Sequence, residues 1–147
     1  NTAYGPNDNF DLNSSHVLSA LIRRIHEAKE QDSPKVVLWG TGSPKREFVF
    51  VDDIVDACIL LLTSRLTNDI LPINIGVGSD ISIKSLAEKI SKIVGYSGTI
   101  EWDKSKPDGV SRKLLDNSKI TSLGWKFKRQ LDPGLKHTYQ WYLDKIK

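Results

Sequence analysis

The sequence lacks several features that define specialised classes of protein. Among its 147 residues are one cysteine and no methionine, and no apolar run approaches the roughly 18 residues of a membrane span. One cysteine excludes an internal disulfide framework and a cysteine-cluster metal site, so we expect a cytoplasmic compartment and no metal. The first residues lack the basic-then-apolar order of a signal peptide. Without methionine even at position 1, the chain is expected to be a fragment or a processed product.

No strong excess of charge is present either. The chain has 21 Lys and Arg residues against 18 Asp and Glu residues, a net charge of +3. The cations are interspersed with acids and never form a run of five or more. This pattern is typical of a solvated surface, so no nucleic-acid or membrane partner is expected. A local basic pocket for a diphosphate is compatible with it.

Apolar periodicity predicts alternating helices and strands, and therefore an α/β fold. We predict strands at 35–39, 48–50, 72–76 and 99–102. Four helices are predicted to begin at N-cap residues: Ser14 or Ser15, Asp52 or Asp53, Ser82, and Asp132. A short helix is predicted over 116–123. Gly95 is expected to end the third helix. No repeat or long linker divides the chain, so one domain is expected.

Each long helix is predicted to bury one apolar stripe. The four stripes are Val17, Leu18, Leu21, Ile22, Ile25 and Ala28; Ile54, Val55, Cys58, Leu61 and Leu62; Ile83, Leu86, Ala87, Ile90, Ile93 and Val94; and Leu135, Tyr139, Tyr142 and Ile146. Because Cys58 falls on such a stripe, we expect a core thiol and not a nucleophile.

A glycine turn followed by cations is the first candidate site. Gly40-Thr-Gly42 is not a dinucleotide fingerprint, because the third glycine and the following helix are absent. Lys45 and Arg46 follow the turn, and a guanidinium binds phosphate through two parallel hydrogen bonds. Trp39 precedes it and can stack on a base or sugar, or fill the core. The turn alone is equally compatible with a structural role; its neighbours favour a ligand.

Two further candidate sites contain ionisable side chains. Residues 104–113 hold four cations around a Pro-Asp-Gly turn, which indicates an exposed loop or a second phosphate clamp in which Asp108 accepts hydrogen bonds from the ligand. His16 lies at the predicted start of the first helix, where the helix dipole disfavours the imidazolium form. A neutral imidazole there could act as a base, although a lone surface histidine is more often inert.

Taken together, these segments resemble one family. Tyr4-Gly-Pro6, Ser15-His16-Val17, the stretch from Trp39 to Phe48, Val51-Asp-Asp53 and Lys106-Pro-Asp-Gly109 are similar to the carboxyl-terminal half of the GDP-L-fucose synthase family of extended short-chain dehydrogenase/reductases. The likeness covers nearly the whole chain. It implies part of a Rossmann sheet with the small substrate-binding α/β region. The amino-terminal half, with the GxGxxG loop and the tyrosine–lysine pair, is absent, so we expect no reductase activity from this chain alone.

The resemblance also implies roles for particular residues. In that family GDP-4-keto-6-deoxy-D-mannose is epimerised at two sugar carbons, and the product is reduced by NADPH. By likeness, His16 shares the epimerisation with an upstream cysteine, and the segment containing Thr2 and Ala3 passes beside the nicotinamide. Substrate contacts fall on Arg24, Trp39, Arg46, Asp108 and Lys113. NADP would be bound mainly by the absent half, and the full-length protein would be a homodimer. Two alternatives stay open: another nucleotide-sugar epimerase or dehydratase, and a non-catalytic binding fragment.

Overall fold

The computed structural model describes residues 2–64 and 72–146, and within them it contains seven strands and five helices. In chain order these are β1 Thr2–Tyr4, α1 Val17–Glu30, β2 Lys35–Trp39, β3 Lys45–Arg46, β4 Phe48–Phe50, α2 Val51–Thr63, β5 Ile81–Ser82, α3 Ile83–Val94, β6 Thr99–Asp103, β7 Arg112–Lys113, α4 Ser118–Ser122 and α5 Leu131–Lys145. The predicted α/β class is confirmed. No helix in this part of the chain is long and apolar enough to cross a membrane.

The strands form three small sheets. β1 pairs in parallel with β4, and β2 pairs in parallel with β6. The third sheet has the order β5-β3-β7, in which β3 is antiparallel to β5 and parallel to β7. Its register places Arg46 directly opposite Lys113. This short central strand therefore brings together two parts of the chain that are far apart in the sequence.

Helices α1, α3 and α5 pack around the main core. The predicted stripes supply its side chains, including Leu18, Ile25, Leu86, Ile90 and Leu135, each at most 1% exposed. Burying a large apolar side chain in this way contributes roughly 1.5–3 kcal/mol. Helix α3 has both predicted ends: the Ser82 hydroxyl accepts the Ser85 N–H, and Gly95 adopts a φ of 75°. The core thus anchors α1, which carries two of the candidate site residues.

The predicted buried face of α2 is only partly correct. Ile54 and Leu61 are half-buried, and Leu61 packs against a small core cluster around Ala57. Val55 and Leu62 are 52% and 86% exposed, and Cys58 is also exposed, so it is not a core thiol. The buried residues are Asp53 and Ala57. Asp53 accepts the backbone N–H groups of residues 128 and 129 at 2.8 and 3.0 Å, which turns that side of the helix inward. An apolar stripe of α2 consequently lies on the surface.

Several predicted boundaries are also corrected. His16, and not Ser14 or Ser15, is the N-cap residue of α1, because the Ser14 hydroxyl bonds to Asn9 and Asp11 in the preceding loop. Helix α2 begins at Val51, ahead of Asp52 and Asp53. Helix α5 begins at Leu131 instead of after an Asp132 cap, and Ile146 lies beyond its end and is 51% exposed.

Two predicted segments differ in type. Residues 72–76 form no strand; Gly76 instead accepts a hydrogen bond from the Asn117 side chain through its carbonyl oxygen. The loop predicted over 104–113 ends in strand β7, because its backbone pairs with β3. Both differences come from contacts with residues more than 30 positions away, which local periodicity does not report.

Candidate functional site

Trp39 stands at the surface near two cations. It ends β2, whose alternation buries Val36 and Leu38 and leaves the indole 65% exposed. The guanidinium carbon of Arg24 lies 5.8 Å from the centre of the ring, and the Lys106 ammonium lies 5.6 Å from it. Cations at this distance are attracted to an aromatic face. Of the two roles open for Trp39, the exposure excludes core filling and leaves a surface for stacking.

The glycine turn is tied to the second candidate loop. Gly40 and Gly42 have φ values of 81° and 73°, which favour glycine. Between them, the Thr41 N–H and hydroxyl donate to the two carboxylate oxygens of Asp108 at 2.8 and 2.6 Å. A side chain on Gly40 would collide with that carboxylate. These Thr41–Asp108 hydrogen bonds hold the turn against the 107–109 segment.

The same hydrogen bonds lower the pKa of the Asp108 carboxyl below its ordinary value of 3.8, the Thr41 hydroxyl having the larger effect and the backbone N–H the next. Because the pKa is lower in the folded state, the hydrogen bonds stabilise the loop at pH values above the ordinary pKa. This stabilisation is lost as the pH falls through the lowered pKa. In an NMR titration of the carboxyl carbon, we expect Thr41→Val to move the Asp108 midpoint upward. Equal midpoints in the two proteins would contradict this assignment.

Arg46 and Lys113 form a pair of neighbouring cations. They are in register across β3 and β7, so both side chains project from one face of that small sheet. Arg46 is half-buried, donates to the Lys45 carbonyl at 2.7 Å, and lies against Gly109. Among the described residues, neither cation belongs to an ion pair. Both positive charges are therefore available to an anion.

A cavity of about 210 Å³ joins these features. It is lined by Val17, Trp39, Gly42, Pro44, Arg46, Ile83, Pro107, Asp108 and Gly109. His16 directly precedes Val17 and is exposed at the start of α1, and Arg24 on the same helix contacts Trp39. The structure thus brings the predicted residues Trp39, Arg46 and Asp108 to one cavity, with Arg24 against Trp39, Lys113 beside Arg46, and His16 next in the chain to the lining residue Val17.

The two residues predicted to contact the cofactor lie outside that lining. Thr2 and Ala3 belong to β1, opposite Phe48 and Val49 of β4. The Thr2 N–H also donates to the Glu47 carbonyl at 3.0 Å. Thr2 and Ala3 therefore pair with the strand that follows Arg46 in the chain, but they do not line the cavity that Arg46 lines.

Sequence reasoning missed two residues of this region. Lys106 lies over Trp39, and its place in the same Lys-Pro-Asp-Gly turn as Asp108 could have indicated it. Glu47 is 1% exposed, and its carboxylate accepts backbone N–H groups from Gly78 and Leu115. An acid immediately before an apolar strand was the available signal for Glu47.

The structure also contains a larger cavity away from the predicted site residues. This cavity of about 690 Å³ lies between α3 and α5, lined by Lys89, Lys92 and Lys136 among others, and it contains none of the predicted site residues. The larger cavity has no exposed aromatic ring, since Tyr139 in its lining is 8% exposed, whereas Trp39 in the lining of the smaller one is 65% exposed. Within 2–64 and 72–146, no group of three His, Cys, Asp or Glu side chains could hold a metal ion.

Comparison with known proteins defines the class. The model of the NAD dependent epimerase/dehydratase family matches residues 1–76, slightly more than half of the sequence. The chain belongs to this NAD dependent epimerase/dehydratase family.

Particular relatives are more informative. The chain is 52% identical over 143 residues to GDP-L-fucose synthase 1 of Arabidopsis thaliana, covering 97% of this chain and 44% of the relative. It is 47% identical over 148 residues to the GDP-L-fucose synthase of Escherichia coli, covering 96% and 46%. The resemblance stated from the motifs is confirmed, and the chain spans less than half the length of these relatives.

Solved structures share the fold. A GDP-6-OMe-4-keto-L-xylo-heptose reductase from C. jejuni superposes with a TM-score of 0.89 at 36% identity, covering 99% of this chain and 52% of that one. A GDP-L-fucose synthetase from Naegleria fowleri, bound to NADP, gives 0.90 at 26% identity, covering 99% and 45%. Both neighbours are about twice as long as this chain.

Proposed function

We propose that this chain is the GDP-sugar-binding part of a longer GDP-L-fucose synthase. That enzyme would convert GDP-4-keto-6-deoxy-D-mannose to GDP-L-fucose by 3,5-epimerisation and NADPH-dependent reduction at the 4-position. The observation that carries the proposal is the unpaired cation couple, Arg46 and Lys113, close to a cavity walled by an exposed Trp39. The identity of about half the residues to synthases of this name supports the particular substrate.

The side chains divide the work of binding. Arg46 and Lys113 would neutralise the diphosphate, since charge-assisted hydrogen bonds to phosphate are among the strongest that proteins make. Trp39, with Arg24 against its ring, would pack on the nucleotide or the sugar. Asp108 would keep acceptor capacity for a ligand hydroxyl, because an ionised carboxylate has about four lone-pair sites and Thr41 occupies two of them.

His16 would move the proton during epimerisation. A ketone acidifies the neighbouring C–H bonds, so a base placed beside one face of the sugar can remove a proton and allow inversion. The His16 side chain is exposed, makes no capping hydrogen bond, and directly precedes the cavity-lining Val17. The partner acid would be a cysteine from the part of the longer protein that precedes this chain, since Cys58 lies on α2 and does not line the cavity.

The remaining length of the protein would carry the dinucleotide-binding half and most of the NADP site. Two observations support this division. Val55, Ile59 and Leu62 leave an apolar stripe exposed on α2, and the cavity is smaller than the roughly 300–1,000 Å³ of typical ligand sites. Thr2 and Ala3 would reach the nicotinamide from β1. On this view the chain alone does not oxidise NADPH with the keto sugar, and detection of that reaction would refute the division.

We also propose a homodimer and a cytoplasmic location for the full-length protein. The homodimer follows from the family resemblance. The location is supported by the single cysteine, which is free and exposed and so compatible with a reducing compartment. Size measurement of the full-length protein in solution tests the first of these.

Calorimetric titration of the chain with GDP-, UDP- and dTDP-sugars tests the function. We expect measurable binding of the GDP-sugar and weaker binding of the other two. A clear preference for a UDP-sugar would instead indicate a different nucleotide-sugar epimerase or dehydratase. Sequence upstream of residue 1 supplies an independent check, because an in-frame GxGxxG loop and a Tyr-x-x-x-Lys pair would exclude a purely non-catalytic binding fragment.

A further inference from the structure

Glu47 is a buried acid that the proposed chemistry does not use. Its side chain is 1% exposed, and acids are almost never fully buried unless their oxygens are paired. Here Oε1 accepts the Gly78 N–H at 2.7 Å, and Oε2 accepts the Leu115 N–H at 3.3 Å. Gly76 lies so close that an added Cβ would be 2.7 and 2.8 Å from the two oxygens. The backbone of two distant segments, at 76–78 and at Leu115, therefore surrounds the carboxylate, and we call this arrangement the Glu47 socket.

The position of Glu47 connects that socket to the cation pair. Glu47 directly follows Arg46 in the chain, and its partner Leu115 lies two residues after Lys113. Its hydrogen bond to the Leu115 N–H therefore fixes the chain just beyond β7 against the chain just beyond β3. Through its own carbonyl, Glu47 also accepts the Thr2 N–H, which fastens β1 to the same point.

Resting on the proposed function, we propose that Glu47 is a positioning residue that sets the spacing of Arg46 and Lys113 for a diphosphate. The strands that carry the cations are only two residues long, so the β3–β7 pairing by itself provides few hydrogen bonds to hold their separation. A diphosphate offers anionic oxygens on two phosphorus atoms and engages both cations at once. A monophosphate is satisfied by one cation, so its binding depends much less on their spacing.

Two variants test this role. Glu47→Gln keeps the shape of the side chain but presents an amide NH₂ to a backbone N–H, which removes one of the two hydrogen bonds. Gly76→Ala leaves Glu47 in place and directs a methyl group into its carboxylate. Glu101→Gln is the matched control, because Glu101 is an exposed acid on β6 that pairs with Lys35 at 3.1 Å. Dissociation constants for GDP and GMP are measured by calorimetry on the folded full-length protein and on each variant of it.

We expect each test variant to weaken GDP binding by roughly tenfold, as for partial loss of one charge-assisted contact, while GMP binding changes much less. The ratio of the GMP to the GDP dissociation constant would then fall by a similar factor, and Glu101→Gln would leave it unchanged. A merely structural role gives another result: the melting temperature falls, but the folded variants keep the wild-type ratio. That result would overturn the inference.

Inorganic pyrophosphate separates this inference from the proposed function. If the full-length wild-type protein binds pyrophosphate but shows no preference for GDP-sugars, the proposed function fails, and the loss of pyrophosphate affinity in Glu47→Gln still supports the positioning role. If wild type binds the GDP-sugar and both variants retain its selectivity for diphosphate, only the positioning role fails. A full-length wild-type protein that binds neither anion contradicts both proposals.

Discussion

Replacing Arg46 by alanine is expected to weaken GDP binding about 10- to 150-fold, because a hydrogen bond to a charged group contributes about 1.5–3 kcal/mol. The guanidinium donates to the Lys45 carbonyl, lies against Gly109 and lines the cavity. Its loss leaves Lys113 as the single cation on that face of the β3–β7 pair. Calorimetric titration with GDP measures the change.

Arg112→Ala provides the matched control for Arg46→Ala. Arg112 lies in the same sheet but is in register with Lys45, and its guanidinium forms an ion pair with Asp80 at 2.5 Å. Removing it deletes the same charge from the opposite face, so GDP affinity should change little. An unchanged affinity in Arg46→Ala, or an equal loss in both variants, would contradict the assignment of the diphosphate to Arg46.

Replacing His16 by glutamine or asparagine in the full-length protein is expected to slow epimerisation by about 10²–10⁴-fold, the usual contribution of a general acid or base. The helix should survive the change, because the His16 side chain makes no capping hydrogen bond and its carbonyl, which accepts the Ala20 N–H at 3.0 Å, is unchanged. Binding of the GDP-sugar should be nearly unaffected. NMR measurement of proton–deuterium exchange at the two sugar carbons reports the step directly.

His137→Gln is the control for this experiment. His137 is exposed on α5 and stacks on Phe50 with ring centres 5.7 Å apart, and it does not line the cavity. Its substitution should leave the exchange rate unchanged. Undiminished exchange in the His16 variants would rule out the proposed proton transfer, whatever their affinity for the substrate.

Sequence patterns correctly predicted those features of the fold that depend on residues close together in the chain. Helix α3 has its predicted Ser82 cap, its buried stripe and its Gly95 end, because each depends on residues within one or two turns. Helix α2 shows the opposite case. Its apolar periodicity was correctly recognised, but the face turned inward is set by Asp53 bonding to backbone 75 residues away. No periodicity within α2 contains that information.

Some features of the candidate site were likewise predicted from the sequence, and others depend on contacts between distant residues. Trp39, Arg46 and Asp108 were predicted from residue types and motif resemblance, and the structure brings them to one cavity. The sequence could not show that Asp108 bonds to Thr41, or that Lys113 lies in a strand beside Arg46, because both facts require the 104–113 segment to return to β3. Glu47 was missed because a carboxylate bound by distant backbone N–H groups resembles an ordinary surface acid in the sequence.

The alternation of Arg112 and Lys113 limits how this protein can change in length. Successive residues of a strand point to opposite faces, so a change of length between Asp108 and β7 that shifts β7 by one residue against β3 would turn Lys113 to the other face. The position opposite Arg46 would then receive another side chain, and Lys113 would leave that face. Substitutions at 110 and 111 are compatible with this pairing, whereas a side chain at 109 would approach the Arg46 guanidinium and enter the cavity lining. Related sequences that retain the same ligand should therefore vary here in residue type while keeping the number of residues, and engineered loops should do the same.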